Sequence, residues 1–322
     1  MPTQTVFRFP HRATFTDLIS HTEPISPVSK HELLIRIRAV SLNSRDLQVA
    51  TKKYPFPVTN GLIPCSDGAG DIVEVGDAVL GFRKGDRVVI SFDLANLAYI
   101  DGVLAQYVVR PAASVVRVPP TARQSYCELA ALVCTGVTAW NGLFGNCTGG
   151  VALTALVIGK AAGATTIITS SSDEKLESVK AKFQPDYCIN YKKTPDWAAE
   201  ALKIVGEKGV DHIIEIGGVR TIEQSVKAIA YGGVISVIGY LTGFDPSKMP
   251  NVPLLALGKS CVVRGVLIGP KCMLDDLYTF ADRAGLRLPA EKGFGFTRED
   301  IVAAYEELDS GRGIGKICIR LD

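Results

Sequence analysis

A glycine-rich segment near the middle of the chain has the residue types and spacing of a phosphate-binding turn. The run Cys147-Thr-Gly-Gly-Val-Ala152 precedes a predicted helix over Leu153–Ala164 and a predicted β-branched strand over Thr165–Ser170. A glycine turn followed by a helix and a strand belongs to the βαβ unit that binds dinucleotides, because amides at the helix N-terminus bind the pyrophosphate. The residues expected to contact a nucleotide in this turn are Thr148, Gly149, Gly150 and Val151.

The same segment lacks two parts of that fingerprint. Cys147 stands where a first glycine would make the tight turn, and residues 138–146 before it show no buried apolar strand. A central strand buries side chains worth about 1.5–3 kcal/mol each, against a total stability of about 5–15 kcal/mol. Three interpretations stay open: residues 151–158 serve as the strand with 159–163 as the turn, the chain is a shortened version of an intact protein, or the turn is damaged.

The composition excludes several classes of protein. The chain has 322 residues, of which 47% are hydrophobic and 21% charged, which fits a globular protein of two domains. The net charge of +2 and the lack of a dense basic run exclude nucleic acid as a partner. No apolar run approaches the length of about 18 residues needed for a membrane span, and no apolar signal segment opens the chain. We therefore expect a cytoplasmic protein with no membrane contact.

Two patterns follow one another along the chain. The first predicted strand begins at His31, and short strands separated by Gly-Asp turns then continue to Val109, which predicts a small β-rich domain. After Pro120, strands and helices alternate, which predicts a parallel sheet covered by helices. The helices predicted there are 173–182, 195–205, 221–230, 273–284 and 297–308, and the strands are 188–191, 210–217, 233–239, 261–268 and 316–320.

Several motifs occur in the order found in one enzyme family. They are residues 75–88 (VGDAVLGFRKGDRV), 41–46 (SLNSRD), 64–70 (PCSDGAG), 134–139 (CTGVTA), 160–164 (KAAGA) and the pair Gly315-Lys316 before the last strand. Over nearly its whole length the chain resembles the medium-chain dehydrogenase/reductase family, and within it the zinc-independent, quinone oxidoreductase-like branch. The resemblance implies an α/β fold, with a Rossmann-type doubly wound parallel sheet over 121–285 and a β-rich, GroES-like catalytic domain formed by 1–120 and 286–322.

The resemblance also implies an activity. Members of that branch use NADPH to reduce an activated C=C bond or a quinone, so the expected partner is a small-molecule substrate. A homodimer is the one protein partner left open. Without a Lewis acid, the protein would mainly orient the nucleotide and an already polarised acceptor.

The expectation that zinc is absent comes from individual residues. In the zinc-dependent branch the three catalytic ligands match a position within Asn43–Asp46, Ser66 and Cys134, and only Cys134 is a zinc ligand by type. The four cysteines of a structural zinc lobe would fall near residues 92–99, which contain none. The eight cysteines form no C-x-x-C pair, which favours reduced thiols packed as small apolar side chains.

The choice between NADP(H) and NAD(H) depends on the end of the strand after the glycine turn. An acidic residue that binds a ribose 2′-hydroxyl is expected about 20 residues after the turn, and Ser170 stands there. Ser170, Ser171 and Lys175 can bind a 2′-phosphate, and the resemblance adds Tyr191. The alternative is that Ser171 and Ser172 only cap the next helix and that Lys175 is a solvated charge.

Other residues are assigned to the site by the resemblance alone. Asn43 and Thr138 would lie beside the nicotinamide ring and are the candidate catalytic residues. Gly217, Gly239 and Leu267 would border the nucleotide, although a glycine at the end of a strand is often only a turn residue. Asp46 and Asp67 are expected to orient the turn that carries Asn43 or to pair with arginines, and neither is expected to act as a general acid.

Two functions of different classes follow. The first is a zinc-independent, NADPH-dependent oxidoreductase acting on a quinone, an enone or a related activated C=C or C=O substrate. The second is a catalytically inactive relative that acts as a binding or interaction protein. The motifs outside the glycine turn favour the first function, whereas Cys147 and the missing strand favour the second.

Overall fold

A computed structural model describes residues 2–92, 100–144, 152–240, 245–287, 290–311 and 314–321. The packing divides the chain into two compact units, the first formed by Met1–Cys134 with Pro270–Asp322 and the second by Thr135–Gly269. The domain bounds inferred from the sequence stay a prediction.

The described residues contain fourteen strands and ten α-helices. The strands are β1 (Thr3–Arg8), β2 (Ile19–Pro24), β3 (Glu32–Ser41), β4 (Asp67–Val75), β5 (Arg87–Ile90), β6 (Tyr107–Pro111), β7 (Val115–Arg117), β8 (Ile167–Ser170), β9 (Tyr187–Asn190), β10 (Val210–Glu215), β11 (Ile229–Val237), β12 (Val262–Gly265), β13 (Ala290–Phe294) and β14 (Lys316–Arg320). The helices are α1 (Ser44–Ala50), α2 (Tyr126–Ala131), α3 (Val137–Phe144), α4 (Ala152–Ala161), α5 (Asp173–Phe183), α6 (Trp197–Val205), α7 (Ile222–Ala228), α8 (Val252–Lys259), α9 (Lys271–Arg283) and α10 (Arg298–Ser310).

The first unit is built on a seven-stranded sheet that uses both ends of the chain. Its strands follow the order β13-β14-β3-β4-β5-β7, with β6 also paired to β3. The alternation read from the sequence holds in β3, where Leu33, Ile35 and Ile37 enter the core and Arg36 and Arg38 are only half-buried. The predicted β-rich domain is therefore confirmed.

The helices of the first unit hold the turn that follows β3. α1 begins after Asn43, whose backbone N–H donates to the Asp46 carboxylate at 2.8 Å in a capping box. α10 supplies Tyr305, which is fully buried in the same core as β3 and β14. The turn with Asn43 is thus fixed by the sheet on one side and by helix packing on the other.

The second unit shows the predicted alternation of parallel strands and helices. β8 pairs with β9, and β10, β11 and β12 pair in that order, all in parallel. Each predicted element from residue 173 to residue 265 is present, with bounds shifted by a few residues. The α/β fold class with a Rossmann-like parallel sheet is confirmed.

The segment after the glycine turn is a helix. Residues 152–161 form α4, and its C-terminal end continues into the bond from Ala162 N–H to Ile158 O at 2.9 Å. The interpretation that residues 151–158 replace the missing strand is therefore wrong. The physical reason is that this segment is rich in Ala and Leu, which favour helix, and it buries Leu156 and Ile158 as part of that helix.

The parallel strands of the second unit form two separate sheets within the described residues. β8 is hydrogen-bonded to β9, and β10 to β11, but no backbone ladder joins β8 to β10. Helix α6 links the two sheets through side chains: its Ala198 and Ala201 pack in one cluster with Ile189 of β9, and Ile167 of β8 and Ile213 of β10 contact that cluster.

Several elements of the fold were not predicted from the sequence. The first predicted strand began at His31, but β1 and β2 form an antiparallel hairpin before it. The hairpin is hard to read because every residue of β2 except Glu23 is exposed, so β2 has no buried face to produce an apolar alternation. α2, α3, α8, β7 and β13 were also not predicted.

Restoring a central strand should stabilise the second unit. We expect that inserting a turn and a strand of about five Val and Ile residues between Asn146 and Cys147, with Cys147→Gly, raises the free energy of unfolding by several kcal/mol, because β8 and β10 would each gain a backbone partner. Urea denaturation of both chains measures this. An insertion of equal length made of Gly and Ser is the control, and equal stability of the two insertions would contradict the prediction.

Candidate functional site

Four predicted phosphate-binding residues lie around the carboxyl ends of β8 and β9. Ser170 ends β8 and pairs with Asn190, which ends β9. The next residue of the chain, Tyr191, is partly exposed and donates its backbone N–H to Ser170 O at 3.0 Å. Ser171 follows Ser170 directly, and Lys175 lies in the first turn of α5. Ligands of parallel α/β sheets bind beyond the carboxyl ends of the strands, so the group lies where a nucleotide would bind.

Helix capping accounts for one of the three serines. Ser172 is the N-cap of α5, and its Oγ accepts the Lys175 backbone N–H at 3.3 Å. Ser170 Oγ accepts the Ser172 backbone N–H at 3.3 Å. The capping alternative is therefore correct for Ser172, while the side chain of Ser170 still has an O–H to donate.

One carboxylate stands close to this group. Asp173 is the first residue of α5, and Asn190 and Lys193 bind its two carboxylate oxygens. These two hydrogen bonds lower the pKa of Asp173, Asn190 being the larger cause. Its negative charge is matched by Lys193.

A second group of predicted residues lies beyond the carboxyl ends of β10, β11 and β12. Glu215, Val237 and Gly265 pair in register across the three strands. Two residues after each of them comes a predicted site residue, namely Gly217, Gly239 and Leu267. Leu267 is 50% exposed, which leaves its side chain free to cover a ligand.

The two glycines of this group have different explanations. A Cβ on Gly217 would lie 2.2 Å from Thr221 Oγ1, so local packing alone requires glycine there. A Cβ on Gly239 would meet nothing nearer than Ile216 O at 3.7 Å, an ordinary contact. Because neither crowding nor a positive φ requires glycine at position 239, that position offers open space of the kind a ligand needs.

Glu215 is a residue of this edge that the sequence did not single out. It is 3% exposed, and its carboxylate accepts the backbone N–H groups of Gly217 and Gly218 at 2.7 and 3.1 Å and the hydroxyls of Thr221 and Ser225. It therefore shapes the loop that carries Gly217. An acidic residue near the end of a predicted strand, two positions before a Gly-Gly pair, was the available signal.

Thr138 lies on α3, which is anchored to the three-stranded sheet. Asn141 donates its side-chain amide to Ile268 O at 2.7 Å, and Ser236 donates its hydroxyl to Gly142 O at 3.2 Å. Thr138 Oγ1 is buried and has no hydrogen-bond partner among the described residues. A buried unpaired hydroxyl costs about 1–3 kcal/mol, so this atom is suited to a bond with a bound ligand.

Backbone strain occurs beside Leu267. Ile268 has a φ of 99°, which a β-branched side chain rarely adopts. The bond from Asn141 holds its carbonyl in place. Strained residues concentrate where ligands bind, which supports the placing of a site at this edge of the sheet.

The predicted pyrophosphate-binding turn falls in the gap between residues 144 and 152 of the described structure. Thr148, Gly149, Gly150 and Val151 lie outside the described residues. The structure therefore gives no test of their assignment, which stays a prediction.

The remaining predicted residue, Asn43, belongs to a polar cluster in the first unit. We define the polar cluster as Asn43, Asp46, Asp67, Cys134 and Lys316. Lys316 donates to Asn43 Oδ1 and to Leu42 O. Asp67 accepts the Ser66 hydroxyl at 2.7 Å and the Cys134 backbone N–H at 3.0 Å. Asn43 is therefore held in one orientation by the last strand of the chain.

Burial controls the charges of the polar cluster. It raises the pKa of Asp46 to about 6, although Arg45 acts in the opposite direction. It also raises the pKa of Asp67, where Lys316 acts in the opposite direction. The charge of Asp67 also raises the pKa of Asp46, but less than burial does. The cluster thus holds two acidic groups that resist ionisation more than exposed carboxylates do.

The polar cluster does not fit a zinc ion. Burial and the nearby charge of Asp67 raise the pKa of the Cys134 thiol well above its ordinary value. Ser66 donates its hydroxyl to Asp67, and Asn43 presents its amide oxygen to Lys316. Zinc requires thiolate, imidazole or carboxylate ligands with tetrahedral geometry. Across the described ranges no three His, Cys, Asp or Glu side chains are placed to bind one metal ion.

The second unit does fit a nicotinamide nucleotide at the positions that are described. The hydroxyl and lysine group at the end of β8, the open space at Gly239 and the unpaired Thr138 hydroxyl are each suited to bind one. No single one of these features identifies the nucleotide. All three belong to the same unit, and the two groups of strand ends both lie at carboxyl edges.

Known proteins show similarity over almost the whole chain. The family model described as "Alcohol dehydrogenase GroES-like domain" matches residues 29–120, and the one described as "Zinc-binding dehydrogenase" matches residues 150–283. A zinc-type alcohol dehydrogenase-like protein of Schizosaccharomyces pombe is 38% identical, covering 90% of this chain and 91% of its own. The quinone oxidoreductase of Homo sapiens is 25% identical, covering 92% and 91%.

A solved structure of similar sequence confirms the fold. A Sinorhizobium meliloti 1021 protein, described as an alcohol dehydrogenase, superimposes with a TM-score of 0.86 at 33% identity and covers 100% of both chains. In the part of the chain that the structure describes, no helix has both the length and the apolar character of a membrane span.

The raised pKa of Asp46 predicts a pH-dependent difference between two proteins. Folding raises this pKa from 3.8 to about 6, so the folded state binds a proton that the unfolded state has released. We compare the free energy of unfolding of the native protein with that of Asp46→Asn. The difference in favour of the native protein should be largest below about pH 4, and it should fall by about 3 kcal/mol as the pH rises through about 6. Urea unfolding of both proteins at several pH values measures the difference. Parallel stability curves would contradict the prediction.

The chemistry of the polar cluster predicts that the purified protein holds no stoichiometric zinc. One cysteine, a serine and an amide give no tetrahedral ligand set. Elemental analysis after dialysis against a weak chelator checks this. One or more tightly held zinc ions per chain would show that the expectation is wrong.

Proposed function

Because the chain belongs to the medium-chain dehydrogenase/reductase family, we propose that it is a zinc-independent, NADPH-dependent oxidoreductase that reduces a quinone, an enone or a related activated C=C or C=O substrate. The observation that carries this proposal is the group at the carboxyl end of β8, where Ser170 replaces an acidic residue and Lys175 lies one turn into the next helix. The similarity to human quinone oxidoreductase supports the substrate class.

The β8 group would bind the 2′-phosphate of the nucleotide. Ser170 and Ser171 supply hydroxyl donors, Lys175 supplies a positive charge, and the N-terminal end of α5 favours an anion. Tyr191, tied to Ser170 through its backbone, adds a phenolic donor on the other side. An acidic residue at position 170 would repel a phosphate, whereas a serine there does not.

The β11 edge would receive the nicotinamide end. Gly239 leaves room for the ring, Thr138 can donate its unpaired hydroxyl to the carboxamide, and Leu267 can cover one face. When bound, the nucleotide supplies a hydride, and a proton from solvent completes the reduction of the acceptor. The contribution of Thr138, Gly239 and Leu267 is to orient the ring and to exclude water around it.

The first unit would serve the acceptor without a metal. Lys316 holds Asn43 in a fixed orientation, so the Asn43 amide is ready to bind an oxygen of the acceptor. Such an acceptor must already be polarised, as a quinone or an enone is. This requirement separates the proposed reaction from alcohol oxidation, which depends on a Lewis acid in the zinc-dependent branch.

A second candidate function is a catalytically inactive relative that acts as a binding or interaction protein. The separation of β8 and β9 from β10, β11 and β12 in the described residues favours it. A turn that is not supported by a central strand would bind the pyrophosphate weakly, because its amides are no longer aimed by a helix packed on that strand.

Charge reversal tests the proposed cofactor. Lys175→Glu should weaken NADPH binding by about tenfold or more, because a charge-assisted bond to the 2′-phosphate is replaced by repulsion, and should change NADH binding by less than about twofold. Lys180→Glu is the matched control, since it makes the same charge change on the exposed face of α5. Titration of each protein with both nucleotides by fluorescence or calorimetry gives the four dissociation constants needed.

The same titration separates the two candidate functions. A dissociation constant in the micromolar range or below, which is about −8 kcal/mol or more favourable, supports the reductase, and equal losses for NADPH and NADH in Lys175→Glu would refute the NADPH assignment. If the native chain does not bind NADPH while the chain with the inserted strand does, the inactive relative is the better description.

A further inference from the structure

Two buried cysteines of the first unit meet where helix α2 packs on strand β14. Cys127 lies in the first turn of α2, and Cys318 lies in the middle of β14. They are 191 residues apart in the sequence, yet the Cys318 thiol donates to Cys127 O at 3.6 Å. Both cysteines are reduced, and the proposed reductase function uses neither of them.

The alternation of side chains along β14 explains how the two sulfurs come together. Ile317 and Ile319 enter the main core of the first unit, so Cys318 and Arg320 point to the opposite face of the strand. Helix α2 packs against β14, and the side chains of Cys127 and Cys318 are hydrogen-bonded to each other. A disulfide between them therefore requires only a local movement of side chains.

Arg320 places a positive charge beside the sulfur of Cys127, because its side chain hydrogen-bonds to that of Cys127. Strand β13 makes room for the guanidinium: a Cβ on Gly293 would lie 2.5 Å from Arg320 Nε. Arg320 is exposed, whereas Cys127 is only 8% exposed. The sulfur thus lies beneath a side chain that faces solvent, where a reagent not much larger than water can reach it.

These contacts favour the ionised form of Cys127. Its pKa is lowered, chiefly by the hydrogen bond from Cys318 and then by Arg320, while burial acts in the opposite direction. Glu128 also opposes ionisation, but its carboxylate is paired with Arg287 at 2.7 Å. The same thiol contact and burial raise the pKa of Cys318. One thiol of the pair therefore ionises readily and the other keeps its proton, as a reactive thiol and its resolving partner do.

We propose that Cys127 and Cys318 form a site of reversible oxidation by hydrogen peroxide, which joins α2 to β14 through a disulfide. The Cys127 thiolate attacks one peroxide oxygen, the O–O bond breaks, and the leaving hydroxide takes up a proton to become water. The sulfenic acid on Cys127 then reacts with the Cys318 thiol: the S–O bond breaks, the S–S bond forms and a second water leaves. The two thiols lose two electrons, and one peroxide is reduced to two waters.

The reaction needs no nucleotide and no acceptor, so it is separate from the proposed reductase function. Its physical basis is the contact of the two thiols together with the charge of Arg320. The alternative is that both cysteines are inert, since a buried thiol in apolar surroundings is unreactive. The two descriptions differ in what peroxide does to the protein.

The first test measures where the native protein is oxidised. The full-length protein, freed of reductant, is treated with hydrogen peroxide at about pH 7, and the products are identified by peptide mapping without reduction. We expect a peptide pair joined through Cys127 and Cys318, which dithiothreitol separates again. It should form at least about tenfold faster than the exposed Cys272 is oxidised, because the thiolate is the reactive form. Cys272→Ser is the control and should leave the yield of this disulfide unchanged.

Variants of the pair and of Arg320 assign the roles. Cys318→Ala should stop the reaction at the sulfenic acid of Cys127, which dimedone traps, and Cys127→Ala should leave Cys318 reduced. Arg320→Gln should slow disulfide formation by about threefold or more at about pH 7, because the thiolate loses a positive neighbour. The pH at which the rate is half-maximal should rise in that variant. Arg320→Lys should keep most of the native rate.

The proposal is overturned if peroxide produces no disulfide between Cys127 and Cys318, or if Cys127 reacts no faster than Cys272. It is also overturned if Cys318 forms a dimedone adduct in Cys127→Ala, or if Arg320→Gln reacts at the native rate and with the native pH dependence. A thermal melt of each reduced variant shows whether it is folded. Because Arg320 is exposed, its variants keep the test decisive even where the loss of a buried cysteine destabilises the protein.

Discussion

Strand pairing at the centre of the second unit is the constraint on which its proposed nucleotide site depends. A parallel sheet is stable when each inner strand is hydrogen-bonded on both sides, and in the described residues β8 and β10 each have one such partner. Helix α6 partly replaces the missing strand pairing, because its side chains make apolar contacts with both sheets. Apolar contacts are less directional than a backbone ladder, so they hold the two sheets together without setting a register between them.

This arrangement matters because the proposed site uses both sheets. The 2′-phosphate group depends on residues at the end of β8, and the nicotinamide group depends on residues at the ends of β10, β11 and β12. One rigid ligand can contact both edges only when their separation is constant. The strength of nucleotide binding is therefore a measure of how well α6 replaces the backbone ladder.

The first unit is organised around Lys316 in a comparable way. This residue begins the last strand of the chain, yet its ammonium group binds the turn that carries Asn43, far away in sequence. The same ammonium limits the rise in the pKa of Asp67. The C-terminal strand thus contributes a charge that orients Asn43 and permits a second buried carboxylate nearby.

The parts of the structure that could be predicted from the sequence are those with a local signal. The alternation in β3 and the βαβ pattern after Pro120 both depend on residues close together in the chain. The helix at 152–161 was one of two open interpretations, since an Ala- and Leu-rich run of ten residues is compatible with either structure. The bonds of Glu215, by contrast, depend on a loop whose shape appears only after folding.

The same limit explains why the surroundings of Arg45 could not be predicted from the sequence. In the motif at residues 41–46 it is one charged residue beside Asp46, and no spacing within the motif distinguishes it. Its distinction arises in three dimensions, where Tyr54 and Phe92 approach it and Asp46 comes no closer than 3.6 Å. A zinc ion would supply positive charge to an acceptor oxygen in the metal-dependent branch. In this chain only Cys134 of the three positions that match those zinc ligands is a ligand by type, and the cation that the polar cluster itself contains is Lys316.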